Sequence, residues 1–203
     1  MSHNLVVIGG KAPSQFDIKK QYDKIICADS GYDVALAYNL EPTVVVGDFD
    51  STDRNDELEK LGYKGCSHDK DETDTELALM KLYPEDTYDL VGGGEGRMDH
   101  LLTIFSLFYR YNPPQHWYTH AEELILVEKE ISLTVEPDIS ISLIPVRGSE
   151  KVWVNTQGLV WELQNFEISA SSISISNRAK EKTIKIVSTG NLFCVLNRKQ
   201  EEV

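Results

Sequence analysis

Apolar residues in the first half of the chain come in short, almost unbroken runs, each ending in glycine or a carboxylate. Leu5-Val6-Val7-Ile8 ends in Gly9-Gly10, and Lys24-Ile25-Ile26-Cys27-Ala28 ends in Asp29-Ser30-Gly31. Val44-Val45-Val46 runs into Gly47-Asp48-Phe49-Asp50-Ser51, and Tyr88-Asp89-Leu90-Val91 into Gly92-Gly93-Gly94. Strands covered on both faces have this continuous character, whereas half-exposed strands alternate. Helical patterns over residues 32–38, 56–61, 73–82 and 98–109 lie between or after the runs. Strand and helix in alternation predict an α/β domain with a parallel sheet. Ten of the 13 glycines fall by residue 96, where strand-to-helix turns need them.

The pattern changes after Tyr111-Asn112-Pro113-Pro114, which cannot continue a helix. Short alternating runs follow at 124–127, 131–135, 139–144, 151–154, 171–176, 183–187 and 192–196. Turn pairs such as Pro137-Asp138, Asn155-Thr156 and Gly190-Asn191 separate them, which predicts an antiparallel sandwich or barrel. In the run at 171–176, strict alternation puts Ser172, Ser174 and Ser176 on one face and Ile173 and Ile175 on the other. His116 and His120 have helical metal-ligand spacing, but they follow two prolines and read as extended. The expected division is residues 1–118 and residues 119–203.

Composition narrows the function classes. Of 203 residues, 41% are hydrophobic and 26% charged, as in ordinary soluble domains. The net charge of −13 repels polyphosphate backbones and argues against a nucleic-acid partner. A nucleotide would bind such a surface only where a metal ion or local Arg and Lys reverse the field. No apolar run approaches bilayer length, and residues 1–20 lack the pattern of a signal peptide. Cys27, Cys66 and Cys194 are odd in number and form no CxxC. They read as buried thiols of a cytoplasmic protein, away from membranes.

Three segments carry candidate chemistry. Asp48 and Asp50 stand two residues apart at a strand end, so continued strand geometry would aim both carboxylates at one point. Paired negative charges call for a cation, and Mg²⁺ takes carboxylate and phosphate oxygens together. The same residues also suit an acidic turn before a helix. In His68-Asp69-Lys70-Asp71-Glu72-Thr73-Asp74-Thr75, Thr73 or Asp74 occupies an N-cap position, and Asp74 can complete a metal site with Asp48 and Asp50. Gly92-Gly93-Gly94-Glu95-Gly96-Arg97-Met98-Asp99-His100 joins a phosphate-admitting turn to a guanidinium fork. It lacks the endings of a P-loop or a dinucleotide fingerprint.

Taken in order, these segments resemble the thiamine pyrophosphokinases. The resemblance rests on Ala28-Asp29-Ser30-Gly31, Gly47-Asp48-Phe49-Asp50-Ser51 and Asp69-Lys70-Asp71-Glu72-Thr73-Asp74. It continues through the glycine-rich segment to His100, then Gly158-Leu159-Val160-Trp161 and Ser174-Ile175-Ser176-Asn177. It implies an N-terminal α/β domain with a Rossmann-like parallel sheet, binding ATP and Mg²⁺, and an all-β C-terminal sandwich that helps bind thiamine. It also implies a homodimer whose active sites lie between subunits. By motif, Asp48, Asp50 and Asp74 would hold Mg²⁺ and act in catalysis with Arg97. Asp29, Gly31, Ser51, Thr73, Arg97 and Asp99 would line the ATP side, and Asp71, Ser174 and Asn177 the thiamine side. The expected reaction moves pyrophosphate from ATP to the thiamine hydroxyl. Family members place Asp-Gly-Gly where this chain has Asp29-Ser30-Gly31, and several place an aromatic after the Ser-Asn pair. Here Arg178-Ala179-Lys180-Glu181 follows, so the group that stacks on thiamine is not identified. Transfer to another heterocyclic alcohol, such as a hydroxymethylpterin, and a non-catalytic thiamine- or nucleotide-binding regulator stay open as alternatives.

Overall fold

The computed structural model describes residues 1–16, 21–52, 54–65, 71–95, 97–148 and 151–197. Cys66, the His68-Asp69-Lys70 start of the second acidic segment, and Gly96 lie outside the described residues. The chain divides into two compact units, Met1–His120 and Ala121–Val203.

In the first unit, β1 (His3–Val7), β2 (Ile25–Ala28), β3 (Val44–Val46), β4 (Thr87–Val91) and β5 (His116–Tyr118) pair in the order β3-β2-β1-β4-β5. Every pairing is parallel, with Val7 opposite both Cys27 and Val91. The helices α1 (Gly31–Ala37), α2 (Asn55–Lys60), α3 (Asp74–Leu79) and α4 (Met98–Leu107) follow β2, β3, α2 and β4 in the chain. Leu5, Val7, Cys27, Tyr32, Ala35, Val45 and Leu58 form one buried cluster, explaining why the first strands read as unbroken apolar runs. Trp117, buried on β5, donates its indole N–H to the Gly92 carbonyl at 2.9 Å. The extended reading of residues 116–120 thus resolves into a fifth parallel strand. Helix α3 is shorter than the expected 73–82 because its tail tightens into i→i+3 bonds, Lys81 to Ala78 at 3.1 Å and Leu82 to Leu79 at 3.1 Å. No helix among the described residues is long and apolar enough to cross a membrane.

Asp86 ties the start of the chain to the turn before β4. It accepts the Ser2 amide at 3.1 Å and the Tyr83 amide at 3.1 Å. Hydrogen bonding from the Ser2 side chain first, then these amides, holds its carboxyl down at about 2, against an ordinary 3.8. A carboxyl depressed on folding stabilises the native state fully above its unfolded pKa and loses that contribution as pH falls towards the folded value. Asp86→Asn should therefore lower the thermal midpoint at neutral pH. The gap to the unmodified protein should close between about pH 4 and pH 2; a gap that is constant over that range would remove this role.

The second unit contains β6 (Glu122–Val127), β7 (Glu130–Thr134), β8 (Ser140–Pro145), β9 (Val152–Gln157), β10 (Phe166–Ile168), β11 (Ser174–Arg178), β12 (Thr183–Ser188) and β13 (Leu192–Asn197). Its strands run in the orders β11-β8-β13-β6 and β10-β9-β12-β7, with antiparallel neighbours throughout. Ile141, Leu143 and Cys194 from one sheet and Val154, Ile184 and Ile186 from the other belong to one buried cluster. This is the expected sandwich. Strand β9 alternates cleanly, with Val152, Val154 and Thr156 inward and Trp153, Asn155 and Gln157 outward.

Strand β11 departs from the expected serine face. Ser174 pairs with Leu143 but Asn177 with Ile141, so the strand carries one extra residue there. Ser176 takes φ +56° at this bulge. Ile173, 46% exposed, and Ile175, 65% exposed, share one face as alternation gives, and the extra residue then breaks the two-residue period and turns Asn177 inward.

Candidate active site

Parallel pairing brings the carboxyl ends of β1 to β4 to one side of the sheet, where open α/β sheets bind ligands. A cavity of about 590 Å³ opens there. Its wall includes Gly9 and Gly10 after β1, Asp29 and Ser30 after β2, Asp48, Asp50 and Ser51 after β3, and Gly93, Glu95 and Arg97 after β4. Glu72, Thr73, Asp74 and Thr75 close another side. The glycines after β1 and β4 permit close backbone contact: a β-carbon on Gly92 would stand 2.2 Å from the Ile8 carbonyl oxygen. Gly93 donates its amide to the Gly9 carbonyl at 2.8 Å, which ties the two turns together.

Asp48 and Asp50 share a side for a reason other than continued strand geometry. Strand β3 stops at Val46, and Phe49 adopts φ +64° with its ring buried. Inserting that ring into the core anchors the turn between the two carboxylates. Asp48 accepts the Asp50 amide at 3.3 Å, and Asp50 accepts the Ser51 hydroxyl at 2.8 Å.

Asp29 joins this pair. One oxygen from each of Asp29, Asp48 and Asp50 lies within 4.8 Å of the others, which is the spacing of ligands around a single ion. Asp29 is 8% exposed, and its Oδ1 is buried without a hydrogen-bond partner. Burial pushes its carboxyl above the ordinary range and Asp74's charge adds to this, against hydrogen bonds from Ser30 and Ser51. A buried, partnerless carboxylate oxygen beside two more carboxylates is the donor set that a hard divalent cation satisfies. From the sequence, Asp29 belongs to the nucleotide side and Asp74 is the third metal ligand. In the structure Asp29 stands with Asp48 and Asp50, while Asp74 lines the same cavity at the start of α3.

Thr73 caps α3, accepting the Glu76 amide at 3.2 Å, so the capping function of this segment coexists with its place on the cavity wall. Arg97 forms a forked pair with Asp99, at 3.1 and 2.5 Å, and lines the cavity, whereas Asp99 lies outside the lining. That pair holds Asp99 below the ordinary carboxylate range. Gly31 is packed under the wall, where a β-carbon would meet the Val7 carbonyl oxygen at 2.2 Å, and Asp71 lies outside the lining. Sequence reading did not include Glu95, which takes φ +50° and is held by Lys11 at 2.8 Å and His120 at 3.2 Å.

In the second unit, the side chain of Asn177 turns inward. It is 3% exposed, accepts the Trp161 amide at 3.2 Å and donates to the Trp161 carbonyl at 2.7 Å. The Arg178 amide occupies Asn177 Oδ1 as well, at 2.8 Å. Asn177 thus fixes the loop that carries Trp161, whose ring is 56% exposed and lies 5.7 Å from the Arg178 guanidinium. Ser174 opens β11 and is half-buried. Asn177→Ala should loosen the loop that carries Trp161, seen as a shift in indole fluorescence and faster hydrogen exchange of the Trp161 amide. Unchanged exchange of that amide would contradict the positioning role.

Comparison with known proteins agrees with this division. The model of the thiamin pyrophosphokinase catalytic domain matches residues 17–118, and that of the thiamin pyrophosphokinase vitamin B1 binding domain matches residues 128–193. No curated protein matches the chain. Among solved structures, thiamin pyrophosphokinase from Geobacillus thermodenitrificans is 24% identical, with a TM-score of 0.75 over 99% of this chain and 100% of its own. The Bacillus subtilis enzyme is 22% identical, with a TM-score of 0.73 over 97% and 99%. The yeast enzyme is 17% identical, with a TM-score of 0.68 over 97% and 86%. These structures share the fold. With both domain models matched in order along its length, the chain belongs to the thiamin pyrophosphokinase family, enzymes that form thiamine diphosphate.

Proposed function

We propose that the cavity of the first unit takes ATP with Mg²⁺ and that the second unit seats thiamine against Trp161. The observation that carries this reading is the grouping of Asp29, Asp48 and Asp50 within 4.8 Å on a wall that also holds Arg97 and the glycine turns. The order β3-β2-β1-β4-β5 supports a Rossmann-like reading, since Gly9-Gly10 and Gly92–Gly94 then flank the point where the strand order reverses. In the reaction, the primary hydroxyl oxygen of thiamine bonds to the β-phosphorus of ATP. The bond from that phosphorus to the oxygen bridging the α-phosphate breaks, AMP leaves with the bond's electrons, and the hydroxyl proton is released.

Little covalent work falls to the chain; positioning and charge complementarity dominate. Asp29, Asp48 and Asp50 would hold Mg²⁺, with Asp74 across the cavity. When bound there, the ion supplies charge neutralisation to phosphate oxygens. Arg97, kept in plane by Asp99, offers two N–H donors to the same oxygens. Trp161 supplies the aromatic face that the residues after Asn177 lack, and a cationic thiazolium or an electron-poor pyrimidine stacks well on indole.

The working enzyme is a homodimer in this reading, with each site shared between subunits. Exposed Trp161, Ile173 and Ile175 in the second unit supply apolar surface for such an assembly. The buried free thiols Cys27 and Cys194 fit a reducing, ATP-containing compartment, the cytoplasm. An assay with MgATP and a panel of alcohols, with products resolved by mass, tests the substrate. Thiamine should be the alcohol consumed; consumption of a hydroxymethylpterin in its place would overturn the assignment.

A further inference from the structure

Ser30 places on the cavity wall a hydroxyl that the fold does not use. Ser30 occupies the N-cap position of α1, yet its side chain makes no capping bond. Among the described residues it has no other side-chain hydrogen bond. The hydroxyl turns instead towards the β1 turn: a β-carbon placed on Gly9 would stand 2.5 Å from Ser30 Oγ. Ser30 Oγ therefore stands beside Gly9 on the cavity wall.

Several other hydroxyls on the same wall already have partners. Ser51 donates to Asp50, Thr73 caps α3, and Thr103 donates to the Asp99 carbonyl at 2.8 Å. The rest of the wall is rich in carboxylates, with Asp29, Asp48, Asp50, Glu72, Asp74 and Glu95. A carboxylate cannot accept a phosphate oxygen without a cation, whereas an uncommitted hydroxyl can donate to one directly. We infer that Ser30 Oγ is a phosphate-binding group, donating a hydrogen bond to a non-bridging oxygen of the nucleotide's phosphate chain beside the Gly9-Gly10 turn. This rests on the reading of the cavity as the nucleotide site.

The test is calorimetric titration of ATP with Mg²⁺ into the unmodified protein and into Ser30→Ala and Ser30→Gly, alongside KM for each substrate and the unliganded thermal midpoint. Losing one hydrogen bond to a charged oxygen should weaken ATP binding about tenfold in both variants. KM for thiamine and the midpoint of Ser30→Ala should stay unchanged. Unmodified protein that fails to bind ATP would sink the nucleotide reading itself. If it binds and Ser30→Ala binds equally well, the role of Ser30 alone is overturned. The same holds if weaker ATP binding comes with a lower midpoint and a raised KM for thiamine, since Ser30 would then be packing against Gly9.

Discussion

Asp50→Asn lowers turnover by roughly two to three orders of magnitude while leaving the protein folded. The substitution removes a charge and almost no volume, and Asp50 is exposed on the cavity wall, so no packing is lost. Asp48→Asn should behave alike. Removing one of three mutually repelling carboxylates should leave the unliganded thermal midpoint level or slightly raised, which distinguishes a functional carboxylate from a structural one. Mn²⁺ serves as a spin probe of the same residues: its binding by electron paramagnetic resonance should weaken together with turnover. A well-folded Asp50→Asn protein with near-normal turnover would reject the role of this cluster.

The second large effect concerns assembly. Asp50→Asn should disable the catalytic unit and Trp161→Ala the proposed thiamine surface, so each protein alone should be nearly inactive at modest thiamine concentration. Mixed and allowed to exchange subunits, about half the dimers should be heterodimers. In a shared-site dimer, each heterodimer carries one site with both native residues and one with neither. Activity should then recover to about a quarter of the unmodified level. If exchange is confirmed by mass and no activity returns, each chain builds its site alone.

The parallel sheet was legible because strands buried on both faces leave apolar runs with few alternative explanations. Strand β5 was harder, since three residues with polar ends carry almost no periodic signal; its place comes from Trp117 filling the core beside Gly92. The bulge in β11 was invisible for a related reason. Ser176 accepts a left-handed conformation without glycine to announce it, and one extra residue shifts the alternation from Asn177 onward. That shift turns Asn177 inward, where it holds the Trp161 backbone.

At the first site, the acidic and glycine-rich segments were each readable, but their grouping depends on strand pairing. Ala28 lies opposite Val46, and Asp29 donates its amide to the Val46 carbonyl at 2.8 Å, so the ends of β2 and β3 coincide. Asp29 thereby reaches Asp48 and Asp50 although it is distant in sequence. A reading confined to local motifs takes Asp74 first, because its segment is acidic and opens a helix.

The most direct test of the central claim is to follow the phosphorus atoms. With ATP labelled separately at the β and γ positions, Mg²⁺ and thiamine, the account predicts AMP formed in step with thiamine diphosphate, both labels moving together into the thiamine product. Formation of ADP with thiamine monophosphate carrying only the γ label would show attack on the terminal phosphorus and contradict it.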